Sequence, residues 1–236
     1  MRIFLIMATV SCIVIIFLIS IILPTFSASF YMNEYEKYDL SGTIGVSSQD
    51  LYAVTKNLQR YMMGTDKYLD VEVSVNGVVR PFFNEKEIFH MEDVKGLFNV
   101  GFMILWVFAF IFILAVAVII KNKYIYEAAR HMTIGVSVFL GAFGVLAAVV
   151  AVNFDRAFVV FHEIFFTNDL WLLDPETDLL INILPLEFFI DIAVFIGVVL
   201  LTLILIAMIA ATIIRLFLDV PETRARPRRK RKAKTA

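Results

Sequence analysis

The chain has 236 residues, of which 60% are hydrophobic and 18% charged, and its formal net charge is −1. Its mean hydropathy of +0.83 is far above that of a soluble domain, so the composition indicates a membrane protein. Cys12 is the one cysteine of the chain. This excludes an intramolecular disulfide, a CxxC redox pair and a zinc site built from cysteines.

Four uncharged stretches are long enough to cross about 30 Å of hydrocarbon as helices. They predict membrane spans at residues 1–24, 97–120, 132–152 and 192–214. Arg2 before the first stretch and the small residues after it are also typical of a cleaved signal peptide, but the apolar run is longer than a signal core. We therefore expect a retained anchor and an all-α polytopic membrane protein with four transmembrane helices.

Basic residues are concentrated in two of the segments outside these spans, the loop 121–131 and the tail 215–236. The positive-inside rule places both segments, and both termini, in the cytoplasm. The segments 25–96 and 153–191 are then extracytoplasmic parts of a multi-pass protein of the cell membrane. For the tail we expect attraction to anionic membrane phospholipid, or a role as a topology signal, and not nucleic-acid binding.

The first extracytoplasmic segment contains patterns for a helix and a hairpin. Ser47 and Ser48 can each cap a helix whose apolar residues recur at helical spacing over 51–62. Residues 69–75 then alternate between apolar and polar and are followed by Asn76-Gly77, the favoured pair for a tight hairpin turn. The pattern predicts a small α+β insertion made of an amphipathic helix and a β-hairpin.

The sequence FNEKEIFHMEDVK at residues 83–95 leads into the second span. Asn84 can cap a helix there, and Glu87 stands at the position that completes a capping box. On this helix Glu87, His90 and Asp93 are three residues apart and share a face. Either acid could therefore hydrogen-bond a ring nitrogen of His90 and fix its tautomer.

The second extracytoplasmic segment, 153–191, is rich in phenylalanine and also holds Trp171. It is too apolar for a free loop and too interrupted to span a bilayer. We expect an amphipathic or re-entrant segment in the membrane interface, with a turn at Asp174-Pro175. His162 lies in its apolar part.

His90 and His162 are predicted at the same depth on the same side of the membrane, whereas His131 lies at the cytoplasmic end of the third span. His162-Glu163 begins an HExxH motif, but Phe166 occupies the second histidine position, so a metalloprotease is not supported. There is no nucleophile elbow, phosphate loop or dinucleotide fingerprint. Of the chemistries considered, general acid and base catalysis by histidine near lipid esters is the one that remains. We expect no metal and no cofactor, with metal binding by the two histidines and nearby carboxylates as an alternative.

In FNEKEIFHMEDVK, and in FHEIFF at 161–166 followed by WLLDPETD at 171–178, the sequence resembles the lipoprotein intramolecular transacylase family, Lit, of Gram-positive bacteria. The resemblance covers nearly the whole chain. Two departures concern loop detail: Lys86 stands where the family more often has Arg, and the turn before Trp171 is usually richer in glycine. The resemblance implies an acyltransferase that moves the sn-2 acyl chain of a diacylglyceryl lipoprotein to the α-amino group of its N-terminal cysteine, which gives the lyso form.

The resemblance also implies that His90 and His162 are both catalytic, without assigning their roles. Polar residues near them are candidates for orienting the histidines or the glyceryl-cysteine head, namely Asn84, Glu87, Asp93 and Asp174. The alternative for these is structural, as helix caps and a turn. Diacylglyceryl-modified lipoproteins and membrane phospholipid are the expected partners. The alternative function is a non-enzymatic four-span sensor or accessory subunit.

Overall fold

The computed structural model describes residues 1–218, so most of the predicted basic tail lies outside the described residues. These residues form nine helices and one two-stranded antiparallel sheet, with the bounds α1 Arg2–Thr25, α2 Ala28–Lys37, α3 Leu40–Ile44, α4 Ser48–Met62, β1 Glu72–Val75, β2 Val78–Pro81, α5 Glu85–Lys121, α6 Ile125–Val152, α7 Phe154–Phe165, α8 Leu179–Ile183 and α9 Leu186–Leu218.

Within residues 1–218, four helices are long and apolar enough to cross a membrane: α1, α5, α6 and α9. Helix α1 packs against the other three, and α6 also packs against α9. Most side chains in the apolar parts of these helices face outward, as Trp106 does with 74% of its surface exposed. This outward apolar surface is what a lipid environment requires, and it confirms the all-α polytopic fold predicted from the sequence.

The segments that join α1 to α5 and α6 to α9 lie at one end of the bundle, because they connect the same ends of their helices. We call residues 26–96 and 153–185 the cap. The cap has a hydrophobic core of its own, which also includes the first turns of α9. Leu51, Val54 and Leu58 contribute to this core from one face of α4.

The local signals of the cap sequence fold as predicted. The Ser47 side chain caps α4 by accepting a hydrogen bond from the amide of Asp50 at 3.1 Å. Strands β1 and β2 pair across a turn in which Asn76 and Gly77 have φ values of 50° and 85°, the left-handed conformations that this turn requires. The α5 helix then begins at Glu85 with a complete capping box and continues without a break into the second predicted span.

Segment 153–191 forms the amphipathic helix α7, an extended loop, the short helix α8 and the start of α9. Helix α7 exposes Phe161, Ile164 and Phe165 and buries His162. An apolar exposed face on a short helix at the end of the bundle fits the expected interfacial segment.

Candidate active site

The structure brings the two histidines singled out by the sequence together. His90 lies in the second turn of α5 and His162 lies in the last turn of α7. The centroids of their rings are 6.2 Å apart, with 34° between the ring planes. The residues are 7% and 8% exposed, respectively. His131 lies in α6 near its junction with α5, at the opposite end of the bundle, as expected.

The ring of His162 is held in one orientation by its own helix. Its Nδ1 atom lies 2.7 Å from the carbonyl oxygen of Phe158, and since a carbonyl can only accept, Nδ1 carries the hydrogen. In the neutral ring the lone pair is then on Nε2. Burial lowers the pKa of His162, and the bond to Phe158 opposes this without cancelling it. His162 is therefore a neutral imidazole with a fixed tautomer, which suits a general base.

The ring of His90 differs because its Nδ1 atom is buried and has no hydrogen-bond partner among residues 1–218. His90 lies in the charged part of α5, before the uncharged stretch at 97–120. Burial lowers the pKa of His90, and the neighbouring His162 lowers it further, against an opposing effect of Asp93. Because a buried polar atom without a partner is costly, this nitrogen is the kind of atom that a bound substrate can satisfy.

Glu87, one of the two acids that could have accepted a hydrogen bond from His90, does not do so. Glu87 is fully buried, and its two carboxylate oxygens accept from the backbone amides of Asn84 at 2.7 Å and Leu180 at 2.5 Å. The Asn84 side chain in turn accepts from the amide of Glu87 at 3.0 Å. Both oxygens are thus hydrogen-bonded to backbone amides, and Glu87 fixes the start of α5 and the start of α8. Its effect on His90 is indirect, because it stabilises the helix that carries His90.

Asp93 also bonds away from the histidines, because its Oδ2 accepts from the side-chain amide of Asn168 at 2.9 Å. Asp174 acts within its turn, where its Oδ1 accepts from the amide of Glu176 at 3.0 Å. Both therefore shape the loop between α7 and α8. The structure thus brings His90 and His162 together and gives Asn84, Glu87, Asp93 and Asp174 structural contacts around them.

Asp178 was missed by the sequence reasoning, although it ends the WLLDPETD motif. It is 3% exposed, and its carboxylate accepts from the side chains of Asn84 at 2.8 Å and Thr177 at 2.9 Å and from the amide of Asp174 at 2.7 Å. Burial raises the pKa of Asp178, but these hydrogen bonds and nearby Lys86 outweigh burial, and the net shift is downward. Asp178 is thus an ionised carboxylate that ties the loop to the start of α5.

Two aromatic rings of this loop complete the walls of the site. Phe166 meets both histidines, with ring centroids 5.2 Å from His90 and 5.5 Å from His162. Trp171 stacks on His162 at 4.8 Å, with 27° between the planes. Both rings also line a cavity of about 610 Å³, together with Glu163, and neither histidine is part of its lining. In the described part of the chain, no cluster of three histidine, cysteine or acidic residues could hold a metal ion.

The family model of the lipoprotein intramolecular transacylase Lit matches residues 6–189. The chain belongs to the Lit family. It is therefore an enzyme of a membrane lipoprotein transacylase family, as the resemblance implied, and the alternative of a non-enzymatic sensor is not supported.

Solved structures agree with this assignment at the level of the fold. The membrane integral lipoprotein intramolecular transacylase Lit from Bacillus cereus matches with a TM-score of 0.74 and 21% identity, over 90% of this chain and 94% of that chain. A structure of that protein with one histidine changed to arginine matches with 0.71 and 21% over 90% and 91%, and one with a histidine changed to alanine matches with 0.71 and 20% over 90% and 92%. A search of curated proteins found no match.

Proposed function

We propose that this Lit enzyme moves the sn-2 acyl chain of a diacylglyceryl lipoprotein onto the α-amino group of the lipoprotein's N-terminal cysteine, with His90 and His162 as acid and base catalysts. The observation that carries the proposal is the pair of buried rings with centroids 6.2 Å apart. Family membership supports the reaction class, and the pair supplies the groups that an ester aminolysis needs.

The amine of the substrate can reach the sn-2 ester of its own head group. The amine nitrogen, Cα, Cβ, sulfur, two glycerol carbons, the ester oxygen and the carbonyl carbon form an eight-membered ring when the nitrogen attacks. The N–C bond forms, the ester C–O bond breaks, and the amine proton ends on the sn-2 glycerol oxygen. The enzyme then has to fold a flexible head group into this conformer and move one proton.

The geometry supports a division of the two roles. His162 has its Nδ1–H on the Phe158 carbonyl, so its Nε2 takes the amine proton and returns it to the departing glycerol oxygen. His90 has a buried Nδ1 without a partner, and as a neutral ring with hydrogen on Nδ1 it donates to the developing oxyanion. A neutral imidazole is a suitable donor here because burial disfavours its charged form.

The other parts of the molecule fit the same proposal. The basic loop 121–131 and the basic tail support a topology with the cap, and with it the histidines, at the extracytoplasmic leaflet. Diacylglyceryl lipoproteins are held in that leaflet by their acyl chains, and the phenylalanine-rich segment 153–191 offers apolar surface for such chains. Asn84, Glu87, Asp93 and Asp174 support the site by holding the loop and the start of α5. Neither a metal nor a cofactor has a part in the proposed steps.

Mass spectrometry of the N-terminal peptide of a co-expressed lipoprotein tests the proposal. We expect the N-acylated lyso form with the wild-type enzyme and its loss with His90→Ala and with His162→Ala. The matched control is His131→Ala, which removes a histidine at the opposite end of the bundle and should leave the lyso form intact. If the lyso form is still made by the first two variants at the wild-type level, the proposed mechanism is wrong.

A further inference from the structure

The contact between Trp171 and His162 has a specific geometry. The two rings are close to parallel, with 27° between their planes and 4.8 Å between their centroids, so the imidazole lies over the face of the indole. Phe161 is close to perpendicular to the same ring, at 5.4 Å and 80°. The face of an indole carries negative π density and attracts a cation placed over it, whereas the edge of an aromatic ring does not.

Trp171 is held in this position by contacts that do not involve His162. The neighbouring Leu172 carbonyl accepts a hydrogen bond from Lys86 Nζ at 2.5 Å, and Lys86 is also 3.5 Å from Oδ2 of the buried Asp178. On the other side of Trp171, the Asn168 side chain bonds to Asp93. Lys86 and Asp93 lie at the start of α5. Asn84, which donates to Asp178, caps the same helix. The loop on both sides of Trp171 is therefore fixed to the helix that carries His90.

We propose that Trp171 is a positioning residue that holds the ring of His162 and stabilises its imidazolium form at the moment when His162 carries the amine proton. The proposal rests on the function proposed above, in which His162 is the base. A buried histidine in an apolar site accepts a proton at a cost. An indole face directly against the ring reduces that cost selectively in the charged state, so it accelerates the step in which the charge exists.

Trp171 is not the nearest aromatic ring to His162, because the centroid of the Phe158 ring lies 4.3 Å away, but that ring is tilted by 49°. His90 of α5 is a titratable neighbour, and its own charge would oppose a charge on His162. The Phe158 carbonyl on α7 accepts from Nδ1. The carboxylates of Glu163 and Asp169 line the cavity, and Asp93 is bonded to Asn168. Among the aromatic rings around His162, the indole of Trp171 is the one closest to parallel with the imidazole, at 27°.

The first experiment compares Trp171→Phe with Trp171→Leu in the lipoprotein assay. Phenylalanine keeps a π face and leucine keeps only apolar bulk. We expect turnover of the leucine variant to lie roughly 3- to 30-fold below that of the phenylalanine variant, the range expected for one cation–π contact. A smaller separation overturns the proposal. The matched control is Trp106→Leu, because Trp106 is the other tryptophan of the chain and faces outward from α5.

A second measurement does not depend on acyl transfer or on the folding of the leucine variant. In a Trp106→Phe protein, Trp171 is the sole tryptophan, and a protonated imidazole quenches the fluorescence of an indole in contact with it. We expect emission to fall as the pH is lowered and His162→Gln to abolish this change. Emission that is independent of pH, or a change that survives His162→Gln, overturns the proposal. Absence of the lyso product with the wild-type enzyme refutes the proposed function instead, so the two failures are distinguishable.

Discussion

Asp178 is the residue whose loss should open the loop between α7 and α8. Its buried carboxylate accepts hydrogen bonds from Asn84, Thr177 and the amide of Asp174 and lies 3.5 Å from Lys86 Nζ. Asp178→Ala removes all four contacts at once. We expect the segment 166–178, which carries Trp171, to separate more often from the start of α5.

The size of the change in the free energy of loop opening depends on which hydrogen-bond donors lose their partner. A hydrogen bond to a charged group contributes about 1.5–3 kcal/mol, and such contributions are not additive within one network. The Thr177 hydroxyl and the Asp174 amide are near solvent and can bind water instead, whereas the half-buried amide of Asn84 does so less well. We therefore expect the free energy of opening of this loop to fall by about 2–4 kcal/mol, which corresponds to an increase of about 30- to 1,000-fold in amide exchange.

Hydrogen exchange with mass spectrometry in detergent measures this change on peptides that cover 166–180. Glu176→Ala is the matched control, because it removes an exposed carboxylate of the same loop that accepts no hydrogen bond among the described residues. The wild type and the Asp178→Ala variant should converge in strong acid, because an ionised Asp178 stabilises the fold above about pH 3.9 and loses this effect as the pH falls through its lowered folded pKa. Exchange in Asp178→Ala within threefold of the wild type at neutral pH would refute this account of the loop.

Two further predictions concern the histidine pair and the helix bundle. Because burial lowers the pKa of His90 and His162, protonation favours the unfolded state, so the melting temperature in detergent should fall as the pH drops below about 6.5. The double variant His90→Gln/His162→Gln should show less of this dependence, and an equal dependence would contradict the prediction. At Gly135 in α6, an added Cβ would lie 2.4 Å from the Thr9 methyl of α1, so Gly135→Ala should destabilise the bundle by about 1–3 kcal/mol. Gly141→Ala, where a Cβ meets nothing within 4 Å, should leave the melting temperature unchanged or raise it, and similar melting temperatures for the two variants would show that this helix contact is not tight.

The parts of the fold that the sequence could predict are those with short-range signals. The cap of α4, the hairpin turn at Asn76-Gly77 and the capping box at Asn84 each depend on residues within a few positions of one another. Helix α2 has a weaker signal, because Ser27 caps it at 3.4 Å from the amide of Phe30 but its buried apolar side is little more than Tyr31 and Tyr35, one helical turn apart. Its position is set by partners far along the chain.

Those distant partners include Asp191, which accepts hydrogen bonds from Lys37 and Tyr38 across 154 and 153 residues. No spacing rule connects such positions. The same limit applies to the site. Topology could place His90 and His162 at one depth, but it could not show that their rings would lie 6.2 Å apart, because the fold of the loop after α7 determines that distance.

The prediction that failed at Glu87 explains the chemistry of His90. Helical spacing correctly placed Glu87, His90 and Asp93 on one face, but it did not account for the donors that compete for the two acids. The amides of Asn84 and Leu180 donate to Glu87. The side chain of Asn168 donates to Asp93. An acid bonded to a ring nitrogen of His90 would have favoured the charged ring. Because the acids hold the loop instead, His90 stays neutral with its Nδ1 open, which is the state the proposed oxyanion donor requires.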